Sequence, residues 1–542
     1  MRSWPRPVAR VARLLPALSL SLALSLSAAL GGLARAADLS PPITLQQEID
    51  ALLERKAARR AFWGIQIRTL DEGTLLYQHN AHKLFVPASN QKLFSTALGL
   101  TRLGPNHRYS TSVVAEGEID GDGTLRGNLV LRGGGDPNLS ARVLPYDDDR
   151  EFEDDLMLPM TELARQAIAG GLRRVEGSII GDDTRYVWQK HAAGWSVDDP
   201  TWGYGAPISA LSFNDNRITM RVLPGRAAGR PARVRLKPQI PFFEIANRTR
   251  TSSRRYVRRA LKIDRQPGSR RIDMWGDISI RSGGRQVAVA VDDPALYAAT
   301  ALASELARLG VKISGSPEAR HTWPYSVRDL KSNRSAPPKP NGEVLSVIQS
   351  VPLGESLKVI NKRSQNLHAE MLLREVSFVR RGIGSFEGGL EELESFLLEA
   401  GLQSGEFICK DASGLSRHNL VSPAATVELL KYMWASPHRD LYRSSLAVAG
   451  TDGTLDWRFS RTPARGRIHA KTGTLSNVSA LSGYARSADG ADLAFSIFVN
   501  NAAAPASYIR RLVDQIAVAM VKPRRRDPAR RRGSAARTAS AP

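Results

Sequence analysis

A single cysteine, Cys409, stands in a chain of 542 residues. No internal disulfide is therefore open to the fold. In Phe407-Ile408-Cys409 the thiol reads as a buried apolar group near a strand, with no chemistry assigned to it. Long apolar runs are as scarce: apart from one stretch near the N-terminus, no segment approaches the length that spans a bilayer. Acidic residues fall short of basic ones, 53 against 76, which leaves a net charge of +23. Aromatics make up only 6%, and so few stand among the arginines that a base-stacking nucleic-acid surface is disfavoured.

What is present is ordinary for a globular protein, 42% apolar and 24% charged, and too long for one core. Residues 1–36 read as an export signal. Arg2, Arg6, Arg10 and Arg13 form a basic start, Leu14 to Leu30 is apolar but broken by Pro16 and serines, and Ala34-Arg35-Ala36 is a small-x-small cleavage site. A retained anchor is the alternative. The mature protein is expected outside the cytoplasm, in the periplasm, as a soluble protein. Residues 523–542, with Arg524-Arg525-Arg526 and Arg530-Arg531-Arg532, lack large apolar groups and are expected to form a disordered basic tail. A second basic stretch runs from Arg226 to Arg271. Anionic envelope polymers or the membrane surface are the expected partners of such charge, not nucleic acid.

Helical spacing runs from Ile43 to Ala61, and a hairpin follows, Phe62 to Arg68 and Thr74 to Tyr77 around Asp71-Glu72-Gly73. From about Tyr109 the texture changes to short strands with glycine and aspartate turns. The cluster Gly133-Gly134-Gly135-Asp136-Pro137 lacks the lysine of a phosphate-binding loop and reads as a turn. A polar, proline-rich linker covers Ser332 to Gly342. Helical texture returns from Val344, and near the C-terminus Ser479 to Tyr484 and Leu493 to Val499 form a hairpin before a closing helix, Ile509 to Val521. The expected architecture is a multidomain α+β protein: an antiparallel sheet flanked by helices, built from residues 37–108 and 325–522 and interrupted by a mainly β insertion over 109–324.

Three short motifs carry the chemistry. Ser89 precedes Lys92 by three residues at the start of an apolar run, Leu93 to Leu98, so a helix beginning near Ser89 sets an amine beside a hydroxyl on one face. A desolvated lysine near other cations has a lowered pKa and serves as the base that an unactivated serine needs. No other lysine in the chain has serine at that offset. Lys471-Thr472-Gly473-Thr474 is the one Lys-Thr-Gly. On an edge strand its glycine admits substrate backbone, while lysine and threonine bind a carboxylate. Ser364-Gln365-Asn366 lies at a junction between two helical stretches. It has a rival in Ser212-Phe213-Asn214. Asp411-Ala412-Ser413-Gly414 is a small-residue turn suited to lining a cleft, with an ordinary loop the alternative.

In this order the motifs resemble the Ser-x-x-Lys, Ser-x-Asn and Lys-Thr-Gly set of penicillin-binding proteins and class A β-lactamases, with Gln365 where the pattern has aspartate. Over residues 40–520 the chain is similar to the class C low-molecular-mass penicillin-binding proteins, the penicillin-binding protein 4 type of peptidase family S13, which act as D-alanyl-D-alanine carboxypeptidases and endopeptidases. The likeness extends to the glycine cluster at 133, to Tyr204-Gly205-Ala206-Pro207-Ile208 with Asn214 and Asn216, and to Asp411-Ala412-Ser413-Gly414-Leu415-Ser416-Arg417. It implies a β-lactamase/transpeptidase-like domain split by inserted domains, and it favours Ser364 over Ser212. Carried over, Ser89 is the acylated nucleophile, Lys92 its base, Ser364 the proton relay and Asn366 the group that orients Lys92. Lys471 and Thr472 hold a carboxylate, the Ser89 and Thr474 backbone N–H groups form the oxyanion hole, and Gly473 and Ser413 line the substrate. Peptidoglycan stem peptides and cross-links are the implied substrate and β-lactams the implied inhibitors, with no metal or organic cofactor. Two other readings stay open. A β-lactamase shares the motifs, although no Glu-x-x-x-Asn element is evident; an envelope-binding scaffold would use the insertion and tail more than the serine.

Overall fold

The computed structural model describes residues 44–257, 259–324, 330 and 342–523. The expected export segment, the linker up to residue 341 and the basic tail beyond Pro523 lie outside the described residues. The core of the fold is one antiparallel sheet of six strands, in the order Ala447–Val448, Ile468–Leu475, Val478–Arg486, Asp492–Asn500, Phe62–Thr69 and Leu75–His79. The two ends of the chain meet in it, Phe62 opposite Asn500 and Thr69 opposite Leu493. Alternation sends Trp63, Ile65, Ile67, Phe495, Ile497 and Val499 to one face. There they bury against Ile49 and Leu52 of the helix Leu45–Leu53 and against Leu512 and Ile516 of the helix Ala506–Val521.

The other face is covered by a helical cluster. Its central member is Gln91–Leu103, buried at every position from Gln91 to Leu100. Leu93, Phe94 and Ala97 pack with Leu372 and Leu373 of Asn366–Arg381, Phe396 of Phe386–Glu399 and Leu430 of Pro423–Ala435. The N-terminal helix is shorter than its spacing predicts, because the chain turns after Leu53 so that the Trp63 indole N–H donates to the Ala58 carbonyl at 2.9 Å.

Between the helices Gln91–Leu103 and Leu353–Lys362 the regular structure among the described residues is mostly strand, in one seven-stranded sheet and two of three strands, with the helices Leu158–Ala169 and Pro294–Arg308 beside them. Helical texture was expected from Val344, in the catalytic portion beginning at 325. Glu343–Gln349 is instead a strand that pairs antiparallel with Ser110–Ile119. Its partner lies more than two hundred residues earlier, and such a non-local pairing leaves no local mark. Two buried carboxylates tie the β region to the helix Asn366–Arg381. Glu375 accepts from Arg185 at 2.9 and 2.7 Å and from the Tyr186 hydroxyl at 2.9 Å. Asp215 lies 2.7 Å from Arg142 and 3.0 Å from His368.

Candidate active site

Ser89 sits in a short 3-10 turn, Ala88–Asn90, that leads into the helix Gln91–Leu103. The turn is tightly held. Ala88 adopts φ 47°, a left-handed conformation that a non-glycine residue keeps only when its surroundings impose it. Two glycines press on it: a Cβ on Gly414 would meet the Ala88 carbonyl at 1.8 Å, and one on Gly473 would meet the Pro87 carbonyl at 2.8 Å. The sequence expectation gave Gly473 the task of admitting substrate backbone. Its side-chain space is taken by the nucleophile turn and by Ala480.

One turn on, Lys92 is fully buried. Its Nζ donates to Ser89 Oγ at 3.2 Å, to Asn366 Oδ1 at 2.6 Å and to the Ser413 carbonyl at 2.5 Å. Burial lowers its pKa to about 7 against the opposing pull of Asp411 and Glu370. Asn366 is the first residue of its helix, capped by the Gln365 side chain, which accepts from the Leu367 N–H. The Asn366 amide nitrogen donates to the Tyr204 carbonyl at 2.9 Å, which leaves the oxygen facing Lys92. So Gln365, where the motif pattern has aspartate, serves as the helix cap.

Ser364 lies at the junction between Leu353–Lys362 and Asn366–Arg381 with φ 61°. Its Oγ accepts from Lys471 Nζ at 2.9 Å. Lys471 is also fully buried, and burial together with Lys92 holds its pKa well below the usual lysine range. The Asn90 side chain donates to the Lys471 carbonyl at 3.0 Å, fastening the motif strand to the nucleophile turn. Edge character belongs to part of that strand only: Ala447 and Val448 pair with Ala470 and His469, and among the described residues no strand pairs with 471–475 on that side. Thr472 Oγ1 donates to Thr454 Oγ1 at 2.9 Å, and a cavity of about 320 Å³ opens there, lined by Thr472, Gly473, Thr474, Thr454 and Trp457 among others.

The four segments around Ser89, Ser364, Ser413 and Lys471 thus converge. Ser212 and Asn214 do not join them: Ser212 Oγ donates to Asn216 Oδ1 at 3.1 Å inside the β region. Ser413 was expected to line the substrate; its hydroxyl is buried and donates to Asp411 at 3.2 Å, and its carbonyl is what reaches Lys92. Cys409 is half-buried beside the helical core, not fully buried, and desolvation pushes its thiol up to about 12.

Beneath Lys92 lie groups that the motifs do not include. Glu370, four residues after Asn366 on the same helix face, accepts from the Ala412 and Ser413 N–H groups, each at 3.0 Å. Burial and neighbouring Asp411 push its carboxyl up to about 7. Asp411 accepts from the Gly414 and Ser416 N–H groups at 2.7 Å each. Tyr204 supplies its carbonyl from the inserted region. The i+4 spacing from Asn366 was the available signal for Glu370; Tyr204 stood in the sequence only as part of the family likeness, and nothing local marked its carbonyl, since any residue has one.

Fold and site define a serine acyl hydrolase of the β-lactamase/transpeptidase-like class. The chain belongs to the D-Ala-D-Ala carboxypeptidase 3 (S13) family, which it matches over residues 45–520. It is 33% identical over 472 residues to a D-alanyl-D-alanine carboxypeptidase from an Actinomadura species, covering 85% of this chain and 82% of the relative. It is 25% identical over 482 residues to D-alanyl-D-alanine carboxypeptidase DacB of Haemophilus influenzae, covering 88% and 93%. The crystal structure of penicillin binding protein 4 (dacB) from Haemophilus influenzae superposes with a TM-score of 0.72 at 24% identity, over 86% of this chain and 97% of that one.

Proposed function

We propose that the protein is a serine-type D-Ala-D-Ala carboxypeptidase that acts on peptidoglycan stem peptides through an acyl-enzyme on Ser89 and is inhibited by β-lactams. The observation that carries this reading is a buried amine, Lys92, at 3.2 Å from the hydroxyl of a half-buried serine, Ser89, with the amine's pKa drawn down to about 7. Neutral amine is then abundant at neutral pH, which is what a general base requires.

In the proposed step Lys92 takes the Ser89 proton as Oγ attacks the carbonyl of the penultimate D-alanine. The oxyanion faces the Ser89 and Thr474 backbone N–H groups. The C–N bond then breaks, and the departing amine receives a proton through Ser364, which accepts from Lys471. Asn366 and the Ser413 carbonyl hold the Lys92 amine in place. Lys471 and Thr472 take the substrate's terminal carboxylate. Water hydrolyses the ester and frees Ser89. Opening of a cross-link is the same step with a longer amine leaving. β-Lactams enter as substrate mimics; the Haemophilus influenzae penicillin binding protein 4 has been crystallised in complex with one.

We further propose that residues 37–108 and 350–522 work as one catalytic portion around an insertion, a division supported by the strand that ends at Gln349. The protein is exported to the periplasm with cleavage near Ala36, and the basic tail of residues 523–542 touches anionic envelope surfaces. No helix among the described residues is long and apolar enough to cross a membrane.

Incubation with a soluble peptide ending in D-Ala-D-Ala tests the activity. The expected result is D-alanine release that penicillin blocks. A protein that neither releases D-alanine nor opens cross-links, yet binds cell walls, would overturn it in favour of a scaffold.

A further inference from the structure

The basic stretch evident in the sequence folds into a surface that the acyl-transfer site does not use. Between residues 244 and 285 the chain carries 12 lysines and arginines against 4 acidic residues. Glu244–Ser252 and Arg271–Ser279 pair in parallel, and Lys262–Asp264 adds to the second of them. Over this small sheet runs a trough of about 1180 Å³, whose walls include Arg248, Arg250, Arg254, Arg259, Lys262 and Trp275. Two of these cations are balanced, Arg248 by Asp273 at 2.8 Å and Arg250 by Asp277 at 3.4 Å. Arg254, Arg259 and Lys262 are exposed and make no ion pair among the described residues. Trp275 is 43% exposed in the trough itself.

Like charges crowded on a folded sheet repel one another and add nothing to its stability. Their use is toward something outside. A concave surface does not suit a flat bilayer, which meets convex or planar faces. Guanidinium groups match carboxylates in a two-pronged geometry, and an exposed indole offers a flat apolar face to a sugar ring. We propose that this trough is a docking site for an anionic glycan, the peptidoglycan strand with its stem-peptide carboxylates, which holds the enzyme on the polymer at a place apart from Ser89. The identity of the polymer rests on the carboxypeptidase reading; the class of ligand rests on the trough.

The test is co-sedimentation of the full-length protein with purified sacculi. A variant carrying Arg254→Ser, Arg259→Ser and Lys262→Ser alters exposed side chains only. A control carrying Lys56→Ser, Arg59→Ser and Arg60→Ser loses the same charge at exposed positions elsewhere. The trough variant is expected to bind about tenfold more weakly and the control to change by less than about twofold. Wild-type binding should weaken as salt rises from about 0.01 to about 1 M and the screening length falls from about 30 to about 3 Å. D-Alanine release from a short soluble peptide should be equal in all three. Equal loss of binding in both variants, no loss in the trough variant, or wild-type preference for anionic phospholipid vesicles over sacculi would each overturn the proposal. Loss of D-alanine release by all three proteins would instead count against the carboxypeptidase reading, with the sedimentation result judged separately.

Discussion

Lys92 and Arg254 carry the same formal charge in opposite surroundings. The lysine is sealed from solvent among Ser89, Asn366 and the Ser413 carbonyl, and desolvation draws its pKa to about 7. The arginine lies exposed on the wall of the trough, free of any ion pair among the described residues. Burial turns a cation into a base that exchanges protons; exposure leaves it a fixed charge that attracts and is screened. The two regions are also assembled differently. The cleft draws on residues from 89 to 474, whereas the trough comes from the run 228–277. Chemistry here depends on long-range packing, and attraction on local composition.

That contrast can be broken most sharply at the nucleophile. Ser89→Ala should lower D-alanine release by about 10⁴-fold or more while sacculus binding stays at the wild-type level. Parallel loss of both would mean that the cleft and the trough are one site. Lys92→Met should cost about 10³-fold in kcat/KM, measured with the same peptide; a loss below tenfold would assign the base elsewhere.

The link between inserted region and cleft is the next point of attack. Burial alone would raise the Asp215 carboxyl, but Arg142 and Arg217 hold it well below the usual range. Asp215→Asn leaves the buried Arg142 without its nearer charge partner and should destabilise the protein by about 3 kcal/mol in urea unfolding. A change under about 1 kcal/mol would show that Arg142 is balanced by Glu151 alone. Subtler still, kcat/KM should rise as pH climbs through about 7, because Lys92 acts as a base only once deprotonated. An ionised Glu370 raises the Lys92 pKa, so Glu370→Gln should move that rise to lower pH. An unmoved or upward-shifted limb would remove Glu370 from the account. The smallest effect is expected for salt on the cleft: hydrolysis of a short peptide should vary less than about twofold over the range that weakens sacculus binding.

The sequence disclosed most of the cleft because its residues obey short-range rules. Ser89 and Lys92 are neighbours on a helical turn, and Ser364 falls where one helix stops and another starts. Lys471 was readable as part of a strand at a sheet margin. What stayed hidden depends on contacts between distant segments. Gly473 looked like a space for substrate, but only the fold reveals that Pro87 and Ala88 fill it. Ser413 was expected to line the substrate, yet the turn presents its carbonyl to Lys92. Glu343–Gln349 resembled the onset of a helical region because its partner strand begins at Ser110. The basic run was plain in the sequence; that it bounds a trough containing Trp275 was not.

Everything in the cleft turns on Ser89 being acylated with Lys92 as its base. The direct measurement is mass-spectrometric mapping of the covalent penicillin adduct, with its rate of formation followed between about pH 5 and pH 9. The account predicts one adduct, on the peptide containing Ser89, forming faster as pH passes about 7. An adduct on any other residue, none at all, or a rate flat across that range would contradict it.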